Sequence, residues 1–202
     1  MTITVKYTRE NMIILVVGFG RCGSSLCMQM LNAAGVDCLG EAPYYEDPRT
    51  VIKRLSQNWL YLQDGKAVKV LDFHLTDMDR NNNLFIINTM RESAKDQAKS
   101  HIKFLDIMSP KKIDKSRAAL RRLQKTYAKD QKIMDRAIKD VTQHSIQVCF
   151  ENILANPIDE ATKIKEFLGL DCDPRVMADV VIDRGPEVQP GLEIEERLSN
   201  GY

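Results

Sequence analysis

The segment Gly18-Phe19-Gly20-Arg21-Cys22-Gly23-Ser24-Ser25 follows directly on an apolar run at residues 13–17 and leads into a helical pattern. Glycines let a backbone approach a bound group closely, and a helix start offers unpaired N–H groups and a partial positive charge. A strand, a glycine turn and a helix in this order therefore make a cradle for phosphate or sulfate. Two ligand-binding readings fit the spacing. As a nucleotide P-loop, Gly18 and Gly23 stand as in G-x-x-x-x-G-K-[ST], with Ser24 in the lysine position and Ser25 in the hydroxyl position. As a dinucleotide fingerprint, Gly18, Gly20 and Gly23 spell G-x-G-x-x-G, and Glu41 lies near the place of a ribose-binding acid, roughly 20 residues on. A tight turn without a ligand is the third reading, and the glycines, the arginine and the two serines argue most against it.

The elements that must position this turn alternate between strand and helix, which predicts an α/β fold: three layers, P-loop-like, with a central parallel sheet flanked by helices. After the first strand, Leu26, Cys27, Met30, Leu31 and Ala34 make one helical face, and Gly35 supplies the stop. Strands are expected at 36–39, 67–73, 84–88 and 145–150. Pro48 opens a helix carrying Val51, Ile52, Leu55 and Trp59, and further helices are expected at about 92–106 and 113–142. Asn156-Pro157 and Asp173-Pro174 read as N-cap and N1 pairs, with Gly169 ending the helix between them. The expected organisation is a single domain over 1–183 and a loosely attached tail over 184–202, marked by Gly185-Pro186 and Pro190-Gly191.

Composition narrows the function classes. The 202 residues suit one compact domain with a sizeable core, and 44% hydrophobic content is ordinary for a soluble globular chain. The apolar run near the N-terminus is too short to cross a bilayer, and no signal-peptide cleavage pattern precedes it. The 29 basic and 28 acidic residues leave a net charge of +1, so no polyanionic partner is indicated by charge. The segment 111–139 is rich in lysine and arginine, but Ile113, Leu120, Leu123, Tyr127, Met134 and Ile138 recur at helical spacing. The charges then occupy the solvated side of an amphipathic helix, and without interleaved aromatics nucleic acid is not an expected partner. Cys22, Cys27, Cys38, Cys149 and Cys172 show no C-x-x-C spacing, so buried reduced thiols and a cytoplasmic location are expected, with no zinc. His101 and His144 read as helix-surface residues.

Several segments together resemble the sulfotransferases that use 3′-phosphoadenosine 5′-phosphosulfate (PAPS), especially the bacterial-type enzymes. The turn at Gly18–Ser25 is similar to their G-x-P-R-S-G-T-S phosphosulfate loop, and Tyr44-Tyr45-Glu46 looks like their G-Y-Y-E. Ala67-Val68-Lys69-Val70-Leu71 with His74-Leu75 resembles the strand bearing the acceptor-side lysine and histidine. Asn88-Thr89-Met90-Arg91 followed by Ser100 parallels the arginine-to-serine element around the 3′-phosphate. Cys149-Phe150-Glu151-Asn152-Ile153-Leu154-Ala155-Asn156-Pro157 and Phe167-Leu168-Gly169-Leu170 are similar to Y-E-D-L-L-A-x-P and F-L-G-L. The ordered set, over about residues 12–170, is more specific than any one piece.

The resemblance implies transfer of a sulfuryl group from PAPS to a hydroxyl or amine of a small-molecule acceptor, leaving adenosine 3′,5′-bisphosphate (PAP). A sulfuryl group carries less charge than a phosphoryl group, so no metal is required and oriented donors suffice. Cofactor-binding residues are then Gly20, Arg21, Cys22, Gly23, Ser24, Ser25, Arg91, Ser100 and Phe150. Arg21 is also placed at the reacting group, and His74, Glu41 or Glu46 is the general base, with Asp72 nearby in sequence, since the acceptor must lose a proton as it attacks. There are departures from the family pattern. Lys69 precedes His74 by five positions where the family has two, Leu26 stands where cytosolic animal enzymes have an adenine-stacking tryptophan, and Phe150 replaces a tyrosine. A late basic-glycine segment is not recognisable, Arg184-Gly185 being at most a remnant. The chain is short for the family, so its acceptor pocket is expected to be abbreviated, open, or completed by a second subunit in a homodimer.

Overall fold

The computed structural model describes residues 12–51, 59–60, 62–71, 78–109 and 111–181. Its centre is a five-stranded sheet built from β1 (Ile13–Gly18), β2 (Asp37–Cys38), β3 (Lys66–Leu71), β4 (Leu84–Met90) and β5 (His144–Cys149). The order across the sheet is β2-β3-β1-β4-β5, and every pairing is parallel. The helices are α1 (Ser24–Ala33), α2 (Pro48–Val51), α3 (Ala94–Met108), α4 (Arg117–Val141), α5 (Phe150–Ala155), α6 (Pro157–Leu168) and α7 (Pro174–Ala178).

Period-two alternation along the strands divides the core into two layers. Ile14, Val16 and Ile87 face Leu26, Met30 and Leu31 of α1, together with Ile153, Ile164 and Met177 of the last three helices. Ile13, Leu15, Val17, Val68 and Ile86 face the opposite way, onto Ala98 of α3 and Tyr127, Met134, Ile138 and Val141 of α4. All six residues of β1 are buried, which explains its continuous apolar run. On α4 the apolar face is the one expected, and Arg117, Arg121, Lys125, Lys129, Lys132, Arg136 and Lys139 are exposed.

Of the two expected N-caps, Asn156 precedes α6 without a side-chain cap bond, whereas Asp173 makes one. Asp173 caps α7 by accepting from the Arg175 amide at 3.0 Å, and Gly169 ends α6 in the left-handed conformation. Most boundaries lie within a few residues of expectation, while β2 is only Asp37–Cys38 and α4 starts at Arg117. Of the expected helix from Pro48, the residues Ile52 and Leu55 lie outside the described residues, as do Asp72, His74 and the tail 184–202.

Strand order bears on the two readings of the glycine turn. A dinucleotide-binding half places its first two strands side by side, so that the acid ending the second strand reaches the ligand on the first. Here β3 is inserted between β1 and β2, with Leu15 paired to Val68 and Cys38 paired to Ala67. Glu41 therefore follows a strand that does not adjoin the glycine turn, contrary to what the dinucleotide reading needs. Among the described residues no helix is long and apolar enough to cross a membrane.

Candidate functional site

The parallel register brings the carboxyl ends of β1, β3, β4 and β5 to one edge, where ligands bind in open α/β sheets. Gly18 pairs with Leu71, Val17 with Asn88, and Met90 with Cys149. The glycine turn, Arg91 and Phe150 leave the sheet from this edge.

The turn is shaped from below by its neighbours. A Cβ on Gly18 would stand 2.4 Å from Cys22 Sγ and 2.5 Å from Thr89 Oγ1, so only glycine lets the chain fold back over β4. Cys22 Sγ and Thr89 Oγ1 are 2.9 Å apart, and Thr89 Oγ1 donates to Val17 O at 2.9 Å. The Cys22 side chain is buried, and burial pushes its thiol above its ordinary pKa. Gly23 has φ 88°, and a Cβ there would lie 2.5 Å from Phe150 Cδ2. α1 then begins with no side-chain cap from Gly23 and no acid in its first turn, its first amide, that of Ser24, being turned to the Cys22 sulfur. Ser24 is buried and Ser25 partly exposed.

One face of α3 grips the turn from the side. Gln97 Nε2 donates to Gly20 O at 3.1 Å, Arg21 Nε donates to Ser100 Oγ at 3.1 Å, and the Arg21 guanidinium lies 5.5 Å from the Phe104 ring centre. Arg21 itself has φ 68°. His101 is hydrogen-bonded through Nδ1 to the Tyr127 hydroxyl, and its ring lies 3.4 Å from where a Cβ on Gly20 would be. It is thus not the helix-surface residue expected from sequence. Gln97, Ser100, His101 and Phe104 follow the i, i+3, i+4, i+7 pattern of one helix face. Gln97, His101 and Phe104 were not among the site residues expected from sequence; a polar and aromatic stripe at core spacing is the signal that marks them.

From β3, Lys69 reaches under the start of α1. Its Nζ donates to Ser25 Oγ at 2.9 Å, Tyr44 O at 2.6 Å and Glu46 Oε1 at 2.8 Å. Burial draws the ammonium below its ordinary pKa, with the Glu46 carboxylate opposing that shift. Glu41 is exposed in the turn whose backbone is closed by Tyr45 N to Glu41 O at 2.8 Å, so Glu46 is the acid tied to the loop.

Arg91, at the end of β4, is buried. Its Nε donates to Glu151 Oε1 at 2.8 Å and its guanidinium lies 5.0 Å from the centre of the Phe150 ring. The other oxygen of Glu151 accepts from the Glu92 amide and the Cys149 thiol, each at 3.1 Å. Burial pushes the Glu151 carboxyl upward, but the hydrogen bonds from Arg91, Cys149 and Glu92 outweigh it and hold the group below its usual range. Ser100 is joined to Arg21, and Arg91 to Glu151. Phe150 is wedged between Gly23 and Arg91.

A retinol dehydratase in complex with androsterone and inactive cofactor PAP superposes with a TM-score of 0.52 at 13% identity, over 86% of this chain and 64% of that one. The fold is shared with a PAP-bound enzyme. A mouse sulfotransferase, SULT7A1, complexed with PAP is matched at 17% identity and a TM-score of 0.46, over 85% of this chain and 63% of that one. The chain thus spans less than two thirds of the length of these neighbours. No family model and no curated protein matches it.

Arg21 and Ser25 lie on the glycine turn and the start of α1, and Arg91 beside Phe150 offers a cation and an aromatic face after β4. Among the described residues no group of three or more histidine, cysteine, aspartate or glutamate side chains is arranged to hold a metal.

Proposed function

We propose that this chain is a PAPS-dependent sulfotransferase acting on a hydroxyl or amine acceptor. The observation that carries the reading is the glycine turn at the carboxyl end of β1, which holds serine at the P-loop lysine position, carries Arg21 braced on Ser100 of α3, and receives Lys69 of β3 at Ser25. The shared fold with a PAP-bound enzyme and the ordered motif resemblance support it.

When bound, PAPS supplies the sulfuryl group and a bisphosphate leaving group. The loop amides with Ser24, Ser25 and Arg21 hold its 5′ side, in a site whose donors are fixed before the ligand arrives. Such preorganised donors stabilise developing charge without reorganisation during reaction. Arg91 holds the 3′-phosphate beside Phe150, its orientation set by Glu151. The acceptor proton passes to His74 or to Glu41, which is exposed near the loop in sequence and free to meet a substrate. The acceptor is a small molecule.

A thermal-shift panel with PAP, ATP–magnesium and NAD tests the reading. At a hundred times its Kd, a ligand that binds only the folded state adds about 2.7 kcal/mol. For a chain of this size that corresponds to a rise of roughly 5–10 °C in Tm. PAP is expected to produce it without magnesium, and Arg21→Ala to abolish most of it. Stabilisation by NAD or ATP–magnesium but not by PAP would overturn the assignment.

A further inference from the structure

We propose that Lys69 supplies, from β3, the positive charge that the Gly18–Ser25 loop lacks at its lysine position, and that it acts on the bound anion through the Ser25 hydroxyl. The inference rests on the loop being the cofactor cradle and adds a positioning residue to it.

Lys69 is out of keeping with its strand. Its chain neighbours Val68 and Val70 are buried core residues, and its partner across the ladder is Val16, yet it places an ammonium among them with only 2% of the side chain exposed. A buried ion pair is weak evidence of stabilisation, because taking a charge out of water costs as much as its partner returns. Glu46, the counter-charge, keeps 47% of its own side chain in solvent. Nothing in the packing of this position calls for a cation, and the atoms it contacts belong to the loop side of the sheet.

The hydrogen-bond polarity shows how the charge reaches a ligand. An ammonium has three donors and no acceptor. All three of those on Lys69 are spent, on Ser25 Oγ, Tyr44 O and Glu46 Oε1 at 2.9, 2.6 and 2.8 Å. Lys69 therefore has no donor left for the anion itself. Ser25 Oγ, however, accepts from Lys69, so its own proton must point elsewhere, and the adjacent ammonium makes that proton a stronger donor. Ser25 lies in the first turn of α1, partly exposed beside the orphan helix amides. Its hydroxyl is thereby a donor, available to an anion held beside the start of α1. The same ammonium holds Tyr44 O and Glu46, so it also ties the segment that carries Glu41 to the loop.

The test is a double-mutant cycle of PAP binding to the full chain, measured by calorimetry in the parent protein, Lys69→Met, Ser25→Ala and the double variant. The melting temperature of each without ligand is recorded alongside. Ser25→Ala removes the hydrogen bond to the ligand and is expected to weaken PAP about tenfold; Lys69→Met removes the charge behind that bond and is expected to weaken PAP severalfold, while the double variant is no weaker than Ser25→Ala alone. A loss in the double variant equal to the product of the two single losses, or unchanged affinity in Lys69→Met, would overturn the proposal while leaving PAP binding intact. Lys69→Gln keeps a donor toward Ser25 but no charge, and it takes the place of Lys69→Met in the same cycle if the latter does not fold. A folded parent protein that does not bind PAP would overturn the cofactor reading and this proposal together.

Discussion

Replacing Arg91 by alanine separates a role in holding the fold from a role in holding a ligand. Its side chain is 2% exposed, its Nε bonds Glu151 at 2.8 Å, and its guanidinium lies over Phe150 at 5.0 Å. A hydrogen bond between charged groups contributes about 1.5–3 kcal/mol and a desolvated cation–π contact about 0.5–2 kcal/mol. Arg91→Ala should therefore lose about 2–5 kcal/mol of stability, or roughly 5–15 °C in Tm, from the fold role alone. The ligand role is read from a ratio. PAP and adenosine 5′-phosphate differ only in the 3′-phosphate, so a general loosening of the site weakens both alike. If Arg91 holds that phosphate, Arg91→Ala costs PAP a further 1.5–3 kcal/mol or so, about tenfold to more than a hundredfold in Kd, relative to adenosine 5′-phosphate. Calorimetric titration of both nucleotides into parent and variant, at a temperature where both are folded, gives the ratio. An equal loss for both nucleotides would refute the 3′-phosphate assignment and leave Arg91 as the partner of Glu151.

Gly23→Ala combines a left-handed φ of 88° with a Cβ placed 2.5 Å from Phe150, and should cost about 2–4 kcal/mol in chemical denaturation. Gly35→Ala, at φ 80° with nothing within 4 Å, should cost only about 1 kcal/mol, and equal losses would refute the steric argument. Because the Glu151 carboxyl titrates below its unfolded value, its contribution is present above about pH 4.3 and is lost as pH falls through its folded pKa. The stability gap between the parent protein and Glu151→Gln should then be constant near neutrality and shrink in acid, and a pH-independent gap would contradict the shift. For the base, His74→Ala should keep the PAP-induced melting shift and lose about 10²–10⁴ in turnover of an acceptor found by screening. If His74→Ala turns over normally and Glu41→Gln does not, the carboxylate is the base.

The strand–turn–helix cradle, the strand positions and the caps are legible in the chain because each rests on short-range chemistry. Continuous apolar runs specify buried parallel strands, glycine admits close approach, and Asp before Pro starts a helix whatever lies across the domain. The choice between the two readings of the glycine turn is different in kind. Both predict the same β1, turn and α1, and they part only where β3 enters between β1 and β2, a matter of which strands pair. The site divides along the same line. Arg21, Ser100 and Arg91 carry recognisable residue types at recognisable places, but their partners were not readable: Ser100 lies 79 positions from Arg21, and Glu151 lies 60 from Arg91. His101 was misread because a helix face shows only its own periodicity, whereas the packing of α3 against the turn sets that ring against Gly20. His144, expected on a helix surface, is instead the first residue of β5 and stacks on Phe85 at 4.6 Å. Lys69 is the clearest case. Sequence places it on a strand, but only the register of β3 on β1, which carries its ammonium 44 positions back along the chain to Ser25, makes it a partner of the glycine turn. Sequence by itself determined the elements and the loop chemistry, since those follow from neighbours along the chain. Tertiary structure alone decided which charges meet, since a parallel crossover joins residues whose separation in sequence carries no trace of their contact.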